Sequence, residues 1–117
     1  MDAPVVAGTA MQLDELQKQV DGWIRNVAGG YWSPFQILAR LTEELGEVAS
    51  ALQRQEGLRP RKSTSNVEEE VGDLLFPLAA FANASGIRLE DALSKVMAKY
   101  ESRDGPAWRS SDGGLQP

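Results

Sequence analysis

The sequence predicts an all-α protein of four helices, and three observations carry that prediction. Apolar residues recur at steps of three and four along most of the chain, no segment alternates apolar and polar residues as a half-buried strand would, and the periodic segments are bounded by cap and stop residues.

Residues 1–10, MDAPVVAGTA, are small and without periodicity, which predicts a flexible N-terminal arm. The helical domain is expected over residues 11–108. Within it Leu13, Leu16, Val20, Trp23, Ile24 and Val27 mark a first amphipathic helix, ended by Gly29-Gly30. Ser33-Pro34 reads as N-cap and first helical residue of a second helix, whose apolar stripe is Leu38, Leu41, Leu45, Val48 and Leu52 and which Gly57 closes. The polar, basic stretch GLRPRKSTSN then predicts a mobile loop carrying Arg59, Arg61 and Lys62, suited to fold over an anionic ligand.

Ser65 with Glu68 has the form of a capping box, and Val67, Val71, Leu74, Leu75, Leu78 and Phe81 carry a third helix to Gly86. Its segment LLFPLAAFA is apolar on every side, which predicts a central helix covered by its own domain or by a second subunit. Pro77 deprives the Asp73 carbonyl of its helical donor, so a kink is expected just beyond Asp73. A fourth helix runs from Leu89 to Arg103 with Leu89, Leu93, Val96, Met97 and Tyr100 on its apolar side. DGPAW ends it, and residues 109–117 are expected to be a disordered tail.

At 117 residues the chain makes one small domain, and helical oligomers often compensate for the small core this allows. The absence of cysteine and histidine removes disulfides, the usual zinc sites and any imidazole base, so catalysis has to run on carboxylates, lysines, arginines and metal ions. A net charge of −5 argues against binding nucleic acid, although metal ions can bring an anionic small molecule into an acidic site. The N-terminus lacks a signal-peptide pattern and no segment is apolar enough to cross a bilayer, so a cytoplasmic protein without membrane contact is expected.

The chemistry lies in two acidic pairs. Glu44 with Glu47 and Glu70 with Asp73 each place two carboxylates three residues apart, on one helix face. Glu44 stands seven residues from both Ile37 and Ala51, in an apolar row where a leucine would be expected, and Asp73 is followed directly by Leu74, Leu75 and Phe76. No basic residue is expected within one turn of either acid, so both are expected to need a partner from elsewhere. Four facing carboxylates with no soft donor point to Mg²⁺, with Mn²⁺ as a substitute, completed by substrate phosphates. Gly46 and Gly72, each one residue before the second acid of its pair, suggest close helix approach.

These motifs resemble those of a known family. EELGEV followed by EEEVGDLLF is similar to the ExxE…ExxD signature of the MazG-like nucleotide pyrophosphohydrolases, within the all-α NTP pyrophosphatase superfamily, and the likeness extends over about residues 13 to 108. The resemblance implies hydrolysis of (deoxy)nucleoside triphosphates, non-canonical or oxidised ones among them, between the α- and β-phosphates. It implies that Glu44, Glu47, Glu70 and Asp73 hold Mg²⁺, and that a homodimer, sometimes doubled to a dimer of dimers, completes the site. Lys95 and Lys99 match the family's basic residues for phosphate binding, with Arg103 continuing the stripe, and Asn83 matches a further family position. Trp23, Tyr31 and Trp32 are candidate base-stacking residues. Glu43 or Glu47 is the candidate acceptor of the proton from the attacking water. Two alternatives stay open: a phosphoribosyl-ATP pyrophosphatase-like enzyme, and a non-enzymatic helical module whose acids bind metal structurally.

Overall fold

The computed structural model describes residues 12–60 and 66–105. These form α1 (Leu13–Asn26), α2 (Pro34–Gln55), α3 (Val67–Ala84) and α4 (Leu89–Arg103), with no strand among the described residues. The Ser33 hydroxyl accepts from the Gln36 amide at 3.3 Å while the Gln36 side-chain oxygen accepts from the Ser33 amide at 3.1 Å, which with Pro34 fixes where α2 begins. Positive φ at Gly57 (76°) and Gly86 (68°) ends α2 and α3 as the sequence leads one to expect. Ser65 lies outside the described residues, and α3 is capped instead by Asn66, whose side-chain oxygen accepts from the Glu69 amide at 2.8 Å. The third helix continues through Pro77 to Ala84.

α2 and α3 make the main helix pair. They run antiparallel: Ile37, near the start of α2, joins Ala79 and Ala80 in the core, whereas Glu44, further on, meets Glu70 and Asp73. α1 packs on α3 through Val20 and Ile24, and Leu16, Tyr31, Phe81 and Leu89 border that core. The buried residues of α3 are mostly small, namely Ala79, Ala80 and Ala82, so neighbouring backbones can come close.

One side chain holds α1, α3 and the α3–α4 turn together. Gln17 donates to Asn83 Oδ1 (2.9 Å) and to the Ile87 carbonyl (2.8 Å), and its oxygen accepts from the Leu89 amide (2.8 Å). Asn83 returns a hydrogen bond to the Gln17 carbonyl at 3.0 Å. Beside them Arg88 takes Asp14 in a two-armed pair, at 2.9 and 2.7 Å, docking the start of α4 on α1.

Much of the apolar surface expected in the core is not covered within the chain. On α2 the buried row is Ile37, Glu44 and Ala51, while Leu38, Leu45 and Leu52 of the expected stripe are 43%, 57% and 46% exposed. The two rows lie on different faces of α2, and only the first meets α3. On α3, Val71, Leu75, Phe76 and Leu78 are exposed, so of the two covers expected for this helix its own domain does not supply the whole. On α4 no residue is buried, and Leu93, Met97 and Tyr100 are exposed. Gly46 and Gly72 do not mark a close helix approach in this chain, because a Cβ on either would meet nothing within 4 Å.

The Arg88 hydrogen bond, with the guanidinium charge behind it, lowers the pKa of Asp14 from its ordinary value of 3.8. A lowered folded-state pKa gives stability that is present above the unfolded value and lost as pH falls through the folded one. Asp14→Asn should therefore lower Tm at pH 7, and the gap from the parent protein should close as pH falls below 3.8. Thermal melts between pH 7 and 2.5 check this.

Candidate active site

Where α2 crosses the first turns of α3, carboxylate oxygens of Glu44, Glu70 and Asp73 lie within 4.8 Å of one another. Glu44 and Glu70 are 6% and 7% exposed, whereas Asp73 is open. The expectation that Asp73 is the buried acid of α3 is thus corrected. Glu70 and Asp73 each stand seven residues before a buried residue, Pro77 and Ala80, so the row alone does not separate them, and the apolar residues directly after Asp73 point round the helix. Three of the four expected carboxylates therefore converge. Glu47, one turn further along α2, is exposed and stands outside this group, as does the exposed Glu43.

Glu44 has a cation that the sequence reading passed over. Arg40, four residues earlier, places Nη2 2.8 Å from Glu44 Oε1, so the acid is not without a local partner. An i,i+4 spacing is a standard helical pair. The expectation that no basic residue stands one turn from Glu44 is thus corrected. Among the described residues no hydrogen bond or ion pair reaches the Glu70 carboxylate.

Two of these acids, Glu44 and Asp73, border a cavity of about 350 Å³. Its other walls are Trp23, Tyr31, Trp32, Ile37 and Phe76, and Arg40, Glu44 and Asp73 form its charged side. Trp23 and Trp32 are 55% and 61% exposed, so neither is spent on the core. Tyr31 is fixed from behind: its hydroxyl donates to Asp21, which also pairs with Arg25 at 3.0 Å, and the Arg25 guanidinium lies 5.5 Å from the ring centroid. The Tyr31 hydrogen bond, then Arg25, holds the Asp21 carboxyl below the usual carboxylate range. Burial, followed by the bond to Asp21, raises the Tyr31 phenol. The aromatic candidates from sequence thus lie together, joined by Phe76, whose place beside Asp73 the sequence reading had treated only as apolar context.

The remaining candidates lie elsewhere. Lys95 and Lys99 stand exposed on α4, no residue of which lines the cavity. Arg103 is paired with Asp104 at 2.9 Å and lies over Tyr100. The Asn83 amide is engaged with Gln17, tying α3 to α1. In the basic loop Arg59 turns back to donate to Ser50 at 3.0 Å, and Arg61 and Lys62 fall outside the described residues.

An all-α chain with clustered carboxylates beside an aromatic cavity has the parts to bind a cation together with a flat, anionic ligand. The MazG nucleotide pyrophosphohydrolase domain matches residues 33–108, and the chain belongs to that family of enzymes. Bacillus subtilis YpjD, an uncharacterised protein, is 41% identical over 105 residues, which are 87% of this chain and 95% of YpjD. Its crystal structure, which carries a provisional pyrophosphatase description, has a TM-score of 0.73 at 42% identity over 83% of this chain and all of that one. The Bacillus-conserved MazG protein, described as a nucleotide pyrophosphohydrolase, has a TM-score of 0.70 at 39% identity, over 83% of this chain and 97% of its own. A Vibrio iMazG at 23% identity, with a TM-score of 0.58 over 80% of this chain and 97% of its own, shares the fold.

A small octahedral cation bound by oxygen at ~2.0–2.1 Å has its ligand atoms up to about 4.2 Å apart. The Glu44, Glu70 and Asp73 oxygens lie close to that span already, all are hard donors, and a single arginine opposes three carboxylates. The residues present therefore fit a divalent ion. Crowding of acids around the unpaired Glu70 predicts that Glu70→Gln raises the Tm of the metal-free protein, by several degrees for a gain of about 1 kcal/mol. Melting in chelator checks this, and the same variant should lose most of any stabilisation by added Mn²⁺.

Proposed function

We propose that the protein is a Mg²⁺-dependent nucleoside triphosphate pyrophosphohydrolase that converts (d)NTPs, canonical or damaged, to the monophosphate and pyrophosphate. The observation that carries this reading is the convergence of Glu44, Glu70 and Asp73 at the rim of the aromatic cavity. Stacking surface and acidic charge then border one cavity. Glu44, Glu70 and Asp73 would hold Mg²⁺, or Mn²⁺ in its place, with Glu47 one turn beyond. Bound there, the ion would supply neutralisation of phosphate charge and acidification of water.

The chain's own residues orient the rest. Trp23, Tyr31 and Trp32 take the base, leaving the α-phosphate toward the acids. Water attacks the α-phosphorus, the bond from that phosphorus to the α–β bridging oxygen breaks, and pyrophosphate departs with the bridging oxygen. Glu47 is suited to accept the water's proton at a carboxylate oxygen, because it is exposed and shares a helix face with Glu44. Glu43 is displaced about 100° round the helix from Glu44 and is the weaker candidate. Lys95 and Lys99 would bind pyrophosphate oxygens, and since no residue of α4 lines the cavity, a second subunit is the natural source of that wall.

A homodimer, with a dimer of dimers as its extension, is supported by the uncovered rows. Leu38, Leu45 and Leu52 repeat every seven residues, the spacing of a helix–helix seam. Exposed Val71, Leu75 and Leu78 add a second apolar face on α3.

Incubating the protein with a panel of canonical and oxidised dNTPs, phosphoribosyl-ATP and Mg²⁺ tests the reaction. Equimolar monophosphate and pyrophosphate should form, with Glu44→Gln slowing kcat by at least ~100-fold, since even partners of metal ligands are worth 10–100-fold. Orthophosphate alone, or no turnover of any nucleotide, would refute the assignment. Separately, Leu45→Asp should shift the protein to monomer in sedimentation analysis and lower its specific activity. A fully active monomer would contradict the proposed shared site.

A further inference from the structure

Arg40 has no assigned role, yet it lies where the two halves of the site meet. Its guanidinium is bonded to one of the buried acids and it also lines the aromatic cavity. Among the described residues around that cavity it is the sole cation. The pair is unequal, for the Arg40 side chain is 54% exposed and the Glu44 side chain 8%. Glu44 is held in place between helices, while the arginine reaches it from a half-solvated stem and can leave without disturbing the core.

We propose that Arg40 is an exchangeable counter-ion, bound to Glu44 while the site lacks metal and handed to the nucleotide's phosphates when a divalent ion takes that carboxylate. The proposal rests on the reading of Glu44, Glu70 and Asp73 as the metal site. An ion entering that cluster competes with Arg40 for the same Glu44 carboxylate. An arginine yields a carboxylate by moving, not by losing its proton, and the charge of an arriving ion beside Glu44 repels the guanidinium, so in this proposal metal binding displaces the side chain. The displaced guanidinium remains tethered one helical turn from Glu44, beside the cavity. Its planar fork suits phosphate oxygens as well as it suited the carboxylate. The outcome is linkage: the ion is disfavoured alone, and ion and nucleotide together are favoured, because only the nucleotide gives the freed charge a new partner. Among the described residues of the same chain no lysine lines the cavity.

The distinguishing signature is a pair of opposite effects in Arg40→Met, which keeps the apolar stem and removes the charge. Mn²⁺ binding without nucleotide, followed by calorimetry, should tighten by about tenfold. Binding of an α,β-imido nucleoside triphosphate at saturating Mn²⁺ should weaken by about tenfold. The metal-free Tm should fall, because Glu44 loses its partner. Arg40→Lys, which preserves the charge and so protects folding, should move both affinities the same way by less. Unchanged or weaker Mn²⁺ binding in the variants overturns the proposal, as does tighter Mn²⁺ binding with nucleotide affinity unaltered. If the parent protein itself binds no Mn²⁺, the metal-site reading fails and the exchange fails with it. A parent that binds Mn²⁺ beside unresponsive variants refutes the exchange alone.

Discussion

The structure depends on keeping two carboxylates, Glu44 and Glu70, buried where α2 crosses α3. Burying an unpaired carboxylate costs several kcal/mol, and only one of these two has a cation, Arg40. The helix pair must therefore be held by contacts elsewhere. On one side of the crossing Ile37 packs into the core with Ala79 and Ala80. Further along α3, Gln17 and Asn83 exchange hydrogen bonds that fix α1 against it. The acids are tolerated because the framework around them is closed by residues that take no part in the chemistry.

The sequence showed this framework better than it showed which faces it covers. Helix limits were legible because they depend on local chemistry: the Ser33-Pro34 start, the glycine stops at Gly57 and Gly86, and the span of α4 all stand where the sequence puts them. The row Ile37, Glu44, Ala51 was legible because seven-residue spacing is a geometric property of a helix. Burial on the remaining faces was not. Leu38, Leu45 and Leu52 have the same periodicity as a core stripe, and periodicity reports that a face is apolar without saying what covers it. Glu70 rather than Asp73 is the covered acid of α3, although both stand seven residues before a buried residue, so helix periodicity does not distinguish them.

Within the site, residue type was readable and pairing was not. Three of the four acids converge, and the aromatic residues flagged for stacking line one cavity. Arg40 was missed although its i,i+4 relation to Glu44 lies in plain sequence. An arginine one turn before an acid is usually an exposed surface pair of small energetic value. It differs here because Glu44 is buried, and that depends on α3, a segment more than twenty residues away.

The arrangement also dictates how a bound nucleotide would lie. One side of the cavity is aromatic and the other carries Glu44, Asp73 and Arg40, so an amphiphilic ligand has a single favourable direction in it. A flat, weakly polar ring gains by contact with Trp23, Tyr31 and Trp32 and would leave the acids unsatisfied if reversed. Phosphates at the acidic end are repelled unless cations accompany them. A protein of net charge −5 that draws its substrate to its most acidic point can do so only by making cation and substrate bind together. The half-exposed arginine on the buried glutamate is the chain's own contribution to that coupling.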